Sequence, residues 1–162
     1  MKQLYLKKIS SQMGDGEYDM YQEMPSEFEG EFKNFIGISK DEFHSKLASL
    51  SAVDYAPNSS NDFVLYDDDE PVGAIEIRND QSHYWREEKG DITYWVRPEM
   101  RSRGYATEML KLAFEEARNL GMHEILMRCS YDNTASIRVI EKSGGEFDKQ
   151  IGNSVYYKIK LA

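Results

Sequence analysis

At 162 residues the chain can hold one domain with a hydrophobic core and is too short for two comfortable ones. Its single cysteine, Cys129, excludes an internal disulfide framework and points to a reducing, cytoplasmic setting. The net charge of −9 argues against binding nucleic acid through its phosphates, and no apolar run is long enough for a membrane span or a secretory signal.

Residues 1–72 carry 6 Lys/Arg against 15 Asp/Glu, whereas residues 73–162 carry 14 against 14. The two halves could serve a cation and an anion respectively; acidic loops that only keep the chain soluble account for the same numbers. Leu4–Ile9 alternates weakly and predicts a first strand. Gly14–Gly37, acidic, aromatic and broken by Pro25, predicts short helical turns and loop. Ser39-Lys40-Asp41-Glu42 is a capping box, and Phe43, Leu47 and Leu50 follow at helical spacing. Ala56–Asp62, polar and containing Pro57, predicts a loop. Phe63–Tyr66 and Pro71–Arg78 flank the turn Asp67–Glu70 as a hairpin, and Asn79–Lys89 reads as a longer connection. Asp91–Arg97 is a strand of β-branched and aromatic residues stopped by Pro98. From Ala106, the apolar positions Met109, Leu110, Ala113, Phe114, Ala117 and Leu120 recur at steps of three and four, up to Gly121. Glu124–Cys129 is a further strand, Asn133 caps a helix to Ser143, and Gly145–Asp148 with Val155–Leu161 forms a closing hairpin. This order predicts an α/β fold on a mixed sheet, in which strand 91–97, the following helix and strand 124–129 form a right-handed parallel crossover.

The stretch Arg101-Ser102-Arg103-Gly104-Tyr105-Ala106-Thr107 joins a strand to the strongest helix. A helix N-terminus exposes unpaired N–H groups and partial positive charge, which favour an anion. Gly104 lets the backbone approach a ligand, Ala106 leaves the next position open, and Arg101 and Arg103 add fixed charge. Those are the requirements of a pyrophosphate site; a tight turn with two solvated arginines would leave the same pattern. The P-loop and the Rossmann glycine fingerprint are both absent, which disfavours a nucleotide triphosphatase or a dinucleotide oxidoreductase.

With these residues the sequence resembles the GNAT superfamily of acetyl-coenzyme A-dependent N-acetyltransferases. The family's cofactor motif reads here Arg101-x-x-Gly104-x-Ala106, after Tyr94-Trp95-Val96-Arg97-Pro98. A second motif follows at the proper distance, Asn133-Thr134-Ala135-Ser136, then Val139–Gly145. The stretch ends Gly144-Gly145-Glu146-Phe147, where the family usually has a shorter Lys-x-Gly-Phe, a variant that resembles a bacterial branch of acetyltransferases. The resemblance covers residues 63–161 and implies one N-acetyltransferase domain over 1–162, with 1–62 as a variable acceptor-side part and 63–161 as the cofactor core.

It further implies a mostly antiparallel twisted sheet whose fourth and fifth strands splay apart around the pantetheine arm. Tyr94, Trp95 and Val96 would offer backbone groups to that arm. Arg101, Ser102, Arg103, Gly104, Tyr105, Ala106 and Thr107 would hold the pyrophosphate, and Asn133 and Ser136 would meet the arm from the second helix. Arg138 or Lys142 could reach the other phosphate or touch only water. Acetyl-coenzyme A is the expected co-substrate, no metal is expected, and a homodimer, common in the family, has no interface marked in the sequence.

Acetyl transfer needs a neutral amine, so a carboxylate acting directly or through water should take its proton. Glu76 could face the acceptor as base; a solvent-facing strand residue paired with Arg78 is the alternative. Asp91 is a second candidate base, or a turn residue. The family tyrosine that protonates the thiolate falls at Ile140, so Cys129 or Tyr131, or else Tyr156, Tyr157 or water, would substitute; Cys129 as a small buried residue is the alternative. Tyr84, Trp85, Trp95, Tyr18, Tyr21 and Phe28 either line an acceptor cleft or form core. The acceptor would be a small cationic amine or a protein amine. A non-catalytic acyl-coenzyme A-binding module, favoured by Ile140 alone, is the competing function.

Overall fold

The computed structural model describes residues 3–26, 34–51, 60–79 and 83–161. In chain order it contains β1 (Leu4–Lys8), α1 (Asp15–Gln22), α2 (Lys40–Ser51), β2 (Ser60–Asp67), β3 (Glu70–Arg78), α3 (His83–Lys89), β4 (Ile92–Val96), α4 (Tyr105–Asn119), β5 (Glu124–Ser130), α5 (Thr134–Lys142), β6 (Glu146–Ile151) and β7 (Ser154–Lys160). The strands form two sheets, in the orders β1-β2-β3-β4 and β5-β7-β6, and every ladder is antiparallel.

The first sheet is covered on both faces, which is why β2 reads as a continuous apolar run and not as an alternation. Phe63 and Leu65 of β2, with Ile75 and Ile77 of β3, pack against Met109, Leu110, Ala113 and Phe114 of α4 and against Ile125, Met127 and Ile159 of the second sheet. Val64, Tyr66, Ala74 and Trp95 take the other face, under Met20 and Tyr21 of α1 and Phe43 and Leu47 of α2. The capping residue expected for α2 is in place, with Ser39 Oγ accepting the Glu42 N–H at 3.2 Å. Helix α4 ends as its sequence dictates: Gly121 adopts φ +82°, and the N–H groups of Gly121 and Met122 return to Arg118 O and Ala117 O at 2.9 and 3.0 Å.

Three expectations need correction. Residues read as a long connection contain α3. Part of the loop expected over 56–62 is strand, because Asn61 and Asp62, though polar, pair with Ile77 and Glu76 and are buried; residues 52–59 lie outside the described residues. The short helical turns expected in the acidic stretch from Gly14 are present as the eight-residue α1, whose start is held by Glu17 Oε2 accepting the Gly14 N–H at 2.9 Å, while residues 27–33 lie outside the described residues. Finally, β4 and β5 make no parallel ladder. Each is an edge strand of a different sheet, and Asp91, just ahead of β4, donates its N–H to Leu126 O of β5 at 2.7 Å.

The doubled glycine has a packing cause. Gly144, at φ +95°, ends α5, and a Cβ on Gly145 would lie 2.5 Å from Ile140 Cγ2 and 2.9 Å from Ile140 O. Overpacking of this kind costs about 1–3 kcal/mol, so Gly145→Ala is expected to lower the urea midpoint with an unchanged slope. A midpoint equal to that of the parent would show that the α5–β6 junction yields freely.

Candidate functional site

The turn before α4 is built from two left-handed residues. Ser102 has φ 62° and Gly104 has φ 87°, separated by Arg103. A left-handed serine costs of order 1 kcal/mol, so the surroundings must impose it. The first helical bond of α4 is from the Glu108 N–H to Gly104 O at 3.2 Å, and no side chain caps the helix. The N–H groups from Gly104 to Thr107 therefore precede the first intrahelical donor, Glu108, and alternation of left- and right-handed residues in such a turn can curl amides into a concavity that favours an anion. Arg101, Ser102, Arg103 and Gly104 are exposed.

Side chains fix this turn from both flanks. Arg101 Nε donates to Val96 O at 3.0 Å while its guanidinium sits 5.9 Å from the Trp95 ring centroid. Buried Tyr105 donates its O–H to Asp67 Oδ2 at 2.5 Å, which anchors α4 to the β2–β3 turn. Ala106 and Thr107 are half-buried, and Arg103 Nη1 reaches Met100 Sδ at 3.7 Å.

The seam between the sheets is held by Asp91, which is 1% exposed. Arg86 donates Nε to Oδ1 at 3.1 Å and Nη2 to Oδ2 at 3.0 Å, and the Leu126 N–H donates to Oδ2 at 2.7 Å. Burial pushes the Asp91 carboxyl above its ordinary range, against the opposing pull of Arg86 and the Leu126 amide. Gly90, at φ +73°, lets this close approach happen, since a Cβ there would meet Leu126 O at 3.0 Å and Arg128 N at 3.1 Å.

Further along, Tyr94 Oη and Ser136 Oγ lie 2.7 Å apart, linking β4 to the first turn of α5. Asn133 Oδ1 accepts the Ser136 N–H at 3.2 Å and so caps that helix. Cys129 is half-buried beside them: burial raises its thiol, and the Ser136 hydroxyl pulls the other way. Tyr131 lies beyond the end of β5 and is 55% exposed. Tyr156 donates its O–H to Glu87 O at 2.7 Å.

Glu76 occupies a different place. It is 1% exposed, opposite Asp62 on one side and Thr93 on the other, and ion-paired to Arg78 Nη1. Arg78 also donates to Thr93 Oγ1 at 2.7 Å and Gly90 O at 3.1 Å. The pairing with Arg78 is therefore present, but on the face covered by α1 and α2 and not toward solvent. Trp95 and Tyr21 are core, and Tyr18, half-buried, donates to Ile38 O at 2.5 Å. Phe28 and the side chains of His83, Tyr84 and Trp85 lie outside the described residues. Among the described residues no group of three or more His, Cys, Asp and Glu is placed to hold a metal ion, and no helix is long and apolar enough to cross a membrane.

The structure thus gathers Tyr94, Cys129, Asn133 and Ser136 at one seam and sets Glu76 on another face. Sequence reasoning missed Arg86, Asp67 and the Tyr94–Ser136 link. None has a local signature, because each partner pair is separated along the chain or joined across elements.

An α/β domain with an amide-lined turn ahead of its longest helix has the layout of a domain that binds an anionic ligand. The sequence matches the family model of the acetyltransferase (GNAT) domain over residues 17–146, and the chain belongs to that family. No curated protein sequence matches it significantly. Among solved structures, RimL, a ribosomal alpha-N-protein acetyltransferase in complex with coenzyme A, matches at TM-score 0.73 and 12% identity over 99% of this chain and 96% of the other. A spermidine N-acetyltransferase chimera from Vibrio cholerae and hSSAT matches at TM-score 0.68 and 17% identity over 99% and 96%. The aminoglycoside acetyltransferase AAC(6')-Ib in complex with coenzyme A and kanamycin matches at TM-score 0.67 and 16% identity over 98% and 95%. At these identities the likenesses establish the fold. The protein is an N-acetyltransferase, an acyltransferase of the family that takes acetyl-coenzyme A as co-substrate.

Removing the Asp91 carboxylate should leave Arg86 and the Leu126 amide without their acceptor. Asp91→Ala is expected to cost about 2–4 kcal/mol in urea unfolding. Hydrogen exchange should show the Leu126 amide losing protection first; uniform loss across β5 would count against a local clasp.

Proposed function

We propose that the chain transfers the acetyl group of acetyl-coenzyme A to a primary amine, with the amides of Ser102 to Thr107 gripping the pyrophosphate. The observation that carries this reading is the exposed turn with left-handed Ser102 and Gly104, ahead of an uncapped α4. Arg101 and Arg103 add positive charge there. Support for a pantetheine site comes from β4 and β5 being edge strands of separate sheets, since edge strands carry unpaired amide and carbonyl groups that another amide chain can use. On this reading β4 and β5 splay beyond Asp91, Tyr94, Trp95 and Val96 present backbone groups to the arm, and Asn133 and Ser136 face it from α5.

Glu76, through a bridging water, takes the proton of the attacking amine, and a β4 N–H stabilises the negative charge that develops on the thioester oxygen. Asp91 serves the site by holding the seam, its oxygens already engaged by Arg86 and Leu126. The acceptor is a small cationic amine or a protein amine, in keeping with the spermidine, aminoglycoside and ribosomal-protein enzymes that share the fold. Residues 1–62 form the acceptor side and residues 63–161 the cofactor core of one domain.

Acetyl-coenzyme A at about a hundred times its Kd should stabilise the protein by about 2.7 kcal/mol, read as a rise in Tm. Gly104→Glu places a side chain and a negative charge in the turn and is expected to abolish that rise while leaving the unliganded Tm close to the parent value. An unchanged response in this variant would show that the turn does not hold the cofactor. Glu76→Gln is expected to lower kcat about 10²–10⁴-fold in thiol release against a panel of primary amines, with little change in KM for acetyl-coenzyme A. A variant as active as the parent would remove Glu76 from the chemistry.

A further inference from the structure

The chain holds 29 Asp/Glu against 20 Lys/Arg, so a half-buried arginine has carboxylates in excess to pair with. Four arginines of the described residues are half-buried: Arg78, Arg86, Arg97 and Arg128. The first three are ion-paired, to Glu76, Asp91 and Glu23 respectively. Arg128 is not. Its Nε donates to Ser154 Oγ at 3.1 Å, and its two Nη groups have no partner among the described residues. Glu87 of α3 reaches the same face of the second sheet, but its carboxylate is ion-paired to Lys149. A half-buried guanidinium gives up hydration that an ion pair normally offsets. Pinned through Nε, it presents its Nη pair as a planar fork that matches a carboxylate.

Successive strand residues point to opposite faces. Met127 lies in the core formed with α4, so Arg128 projects from the face turned away from that helix. Ile75 and Ile77 lie in the same core, so Glu76 also projects away from α4. Gly90 links the two: Arg78, the partner of Glu76, donates Nε to Gly90 O at 3.1 Å, and a Cβ on Gly90 would lie 3.5 Å from Arg128 Cβ. Arg101 and Arg103, by contrast, stand just ahead of α4.

We propose that Arg128 binds a carboxylate carried by the acceptor, and that the acceptor is a free amino acid. This rests on acetyl transfer with Glu76 as base, as argued above. The ammonium of such a molecule is met by the buried carboxylates Asp62 and Glu76, and its carboxylate by Arg128, so the zwitterion is matched at both ends. Arg128 sets specificity and takes no part in bond making; the carboxylate stays ionised and leaves unchanged on the N-acetyl amino acid. An acceptor with a second cation in that place would meet Arg128 as a like charge, which disfavours it.

The test is thiol release from acetyl-coenzyme A with the standard amino acids, each compared with its own amide, which keeps the amine and loses the carboxylate. At least one amino acid is expected to exceed its amide in kcat/KM by about 10–100-fold. Arg128→Gln should remove that preference, with the change falling in the KM for the acceptor, and Arg128→Lys should keep part of it. A rise in Tm with acetyl-coenzyme A shows that each variant is folded. No release with any amino acid, equal rates for every amino acid and its amide, or a preference that survives in Arg128→Gln each overturns the proposal. Those results leave acetyl transfer standing where a primary amine without a carboxylate is acetylated. A parent protein whose Tm does not respond to acetyl-coenzyme A overturns the cofactor site as well.

Discussion

Two sheets meet in this protein at one clasp, and the geometry of the seam follows from it. The Asp91 backbone donates to Leu126 O, and the Asp91 carboxylate takes the Leu126 N–H in return. A side chain thus replaces what would have been the next backbone partner in a continuous ladder. Arg86 supplies the positive charge that makes a carboxylate tolerable at 1% exposure. Beyond this point β4 pairs with β3 and β5 with β7, each as the edge strand of its own sheet. A closed sheet would have no such seam, and the Tyr94–Ser136 and Tyr156–Glu87 bonds are further polar links between the two halves.

The turn before α4 is set by contacts to β2 and β4, not by its own sequence only. Tyr105 is tied to Asp67 and Arg101 to Val96. An aspartate close to a proposed anion site raises an electrostatic question. Asp67 is occupied, accepting the Tyr105 O–H on one oxygen and the Gln3 N–H at 3.3 Å on the other. A carboxylate near a helix N-terminus is also favoured by the helix dipole. Asp67 therefore acts as an anchor whose charge is partly offset where it stands, and Arg101 and Arg103 lie on the exposed side of the turn.

What the sequence made legible was whatever has a short period or a local cap. The apolar steps of α4, Ser39 and Asn133 as caps, and Gly121 and Gly144 as terminators all correspond to observed structure, because each is enforced within one or two helical turns. The turn at 101–107 was legible for the same reason. Ladder membership was not. Asn61 and Asp62 look like loop residues and are strand, since their partners Ile77 and Glu76 lie on another segment. Helix α3 was hidden by its polar composition. The parallel crossover was inferred from element order, which says nothing of whether adjacent strands share a sheet. Asp91 looked like a turn residue or a base, and only the fold shows that its oxygens belong to Arg86 and Leu126.

The charge asymmetry also resolves into places with different physics. Asp67, Asp68, Asp69, Glu70 and Asp19 line an open hollow of about 710 Å³ at the β2–β3 turn, together with Arg97. Arg97 is itself engaged, with Glu23 at 2.5 Å and with Pro71 O at 3.1 Å. Asp19, Asp68, Asp69 and Glu70 are exposed, and salt screens such charges over roughly 8 Å at physiological ionic strength. Asp62 and Glu76 instead lie side by side and buried, on the face covered by α1 and α2. On our reading of the acceptor side, discrimination for a cationic amine must come from such buried groups, because interactions strengthen as the local dielectric falls. The net charge of the first half would then assist the approach of an amine but would not select it.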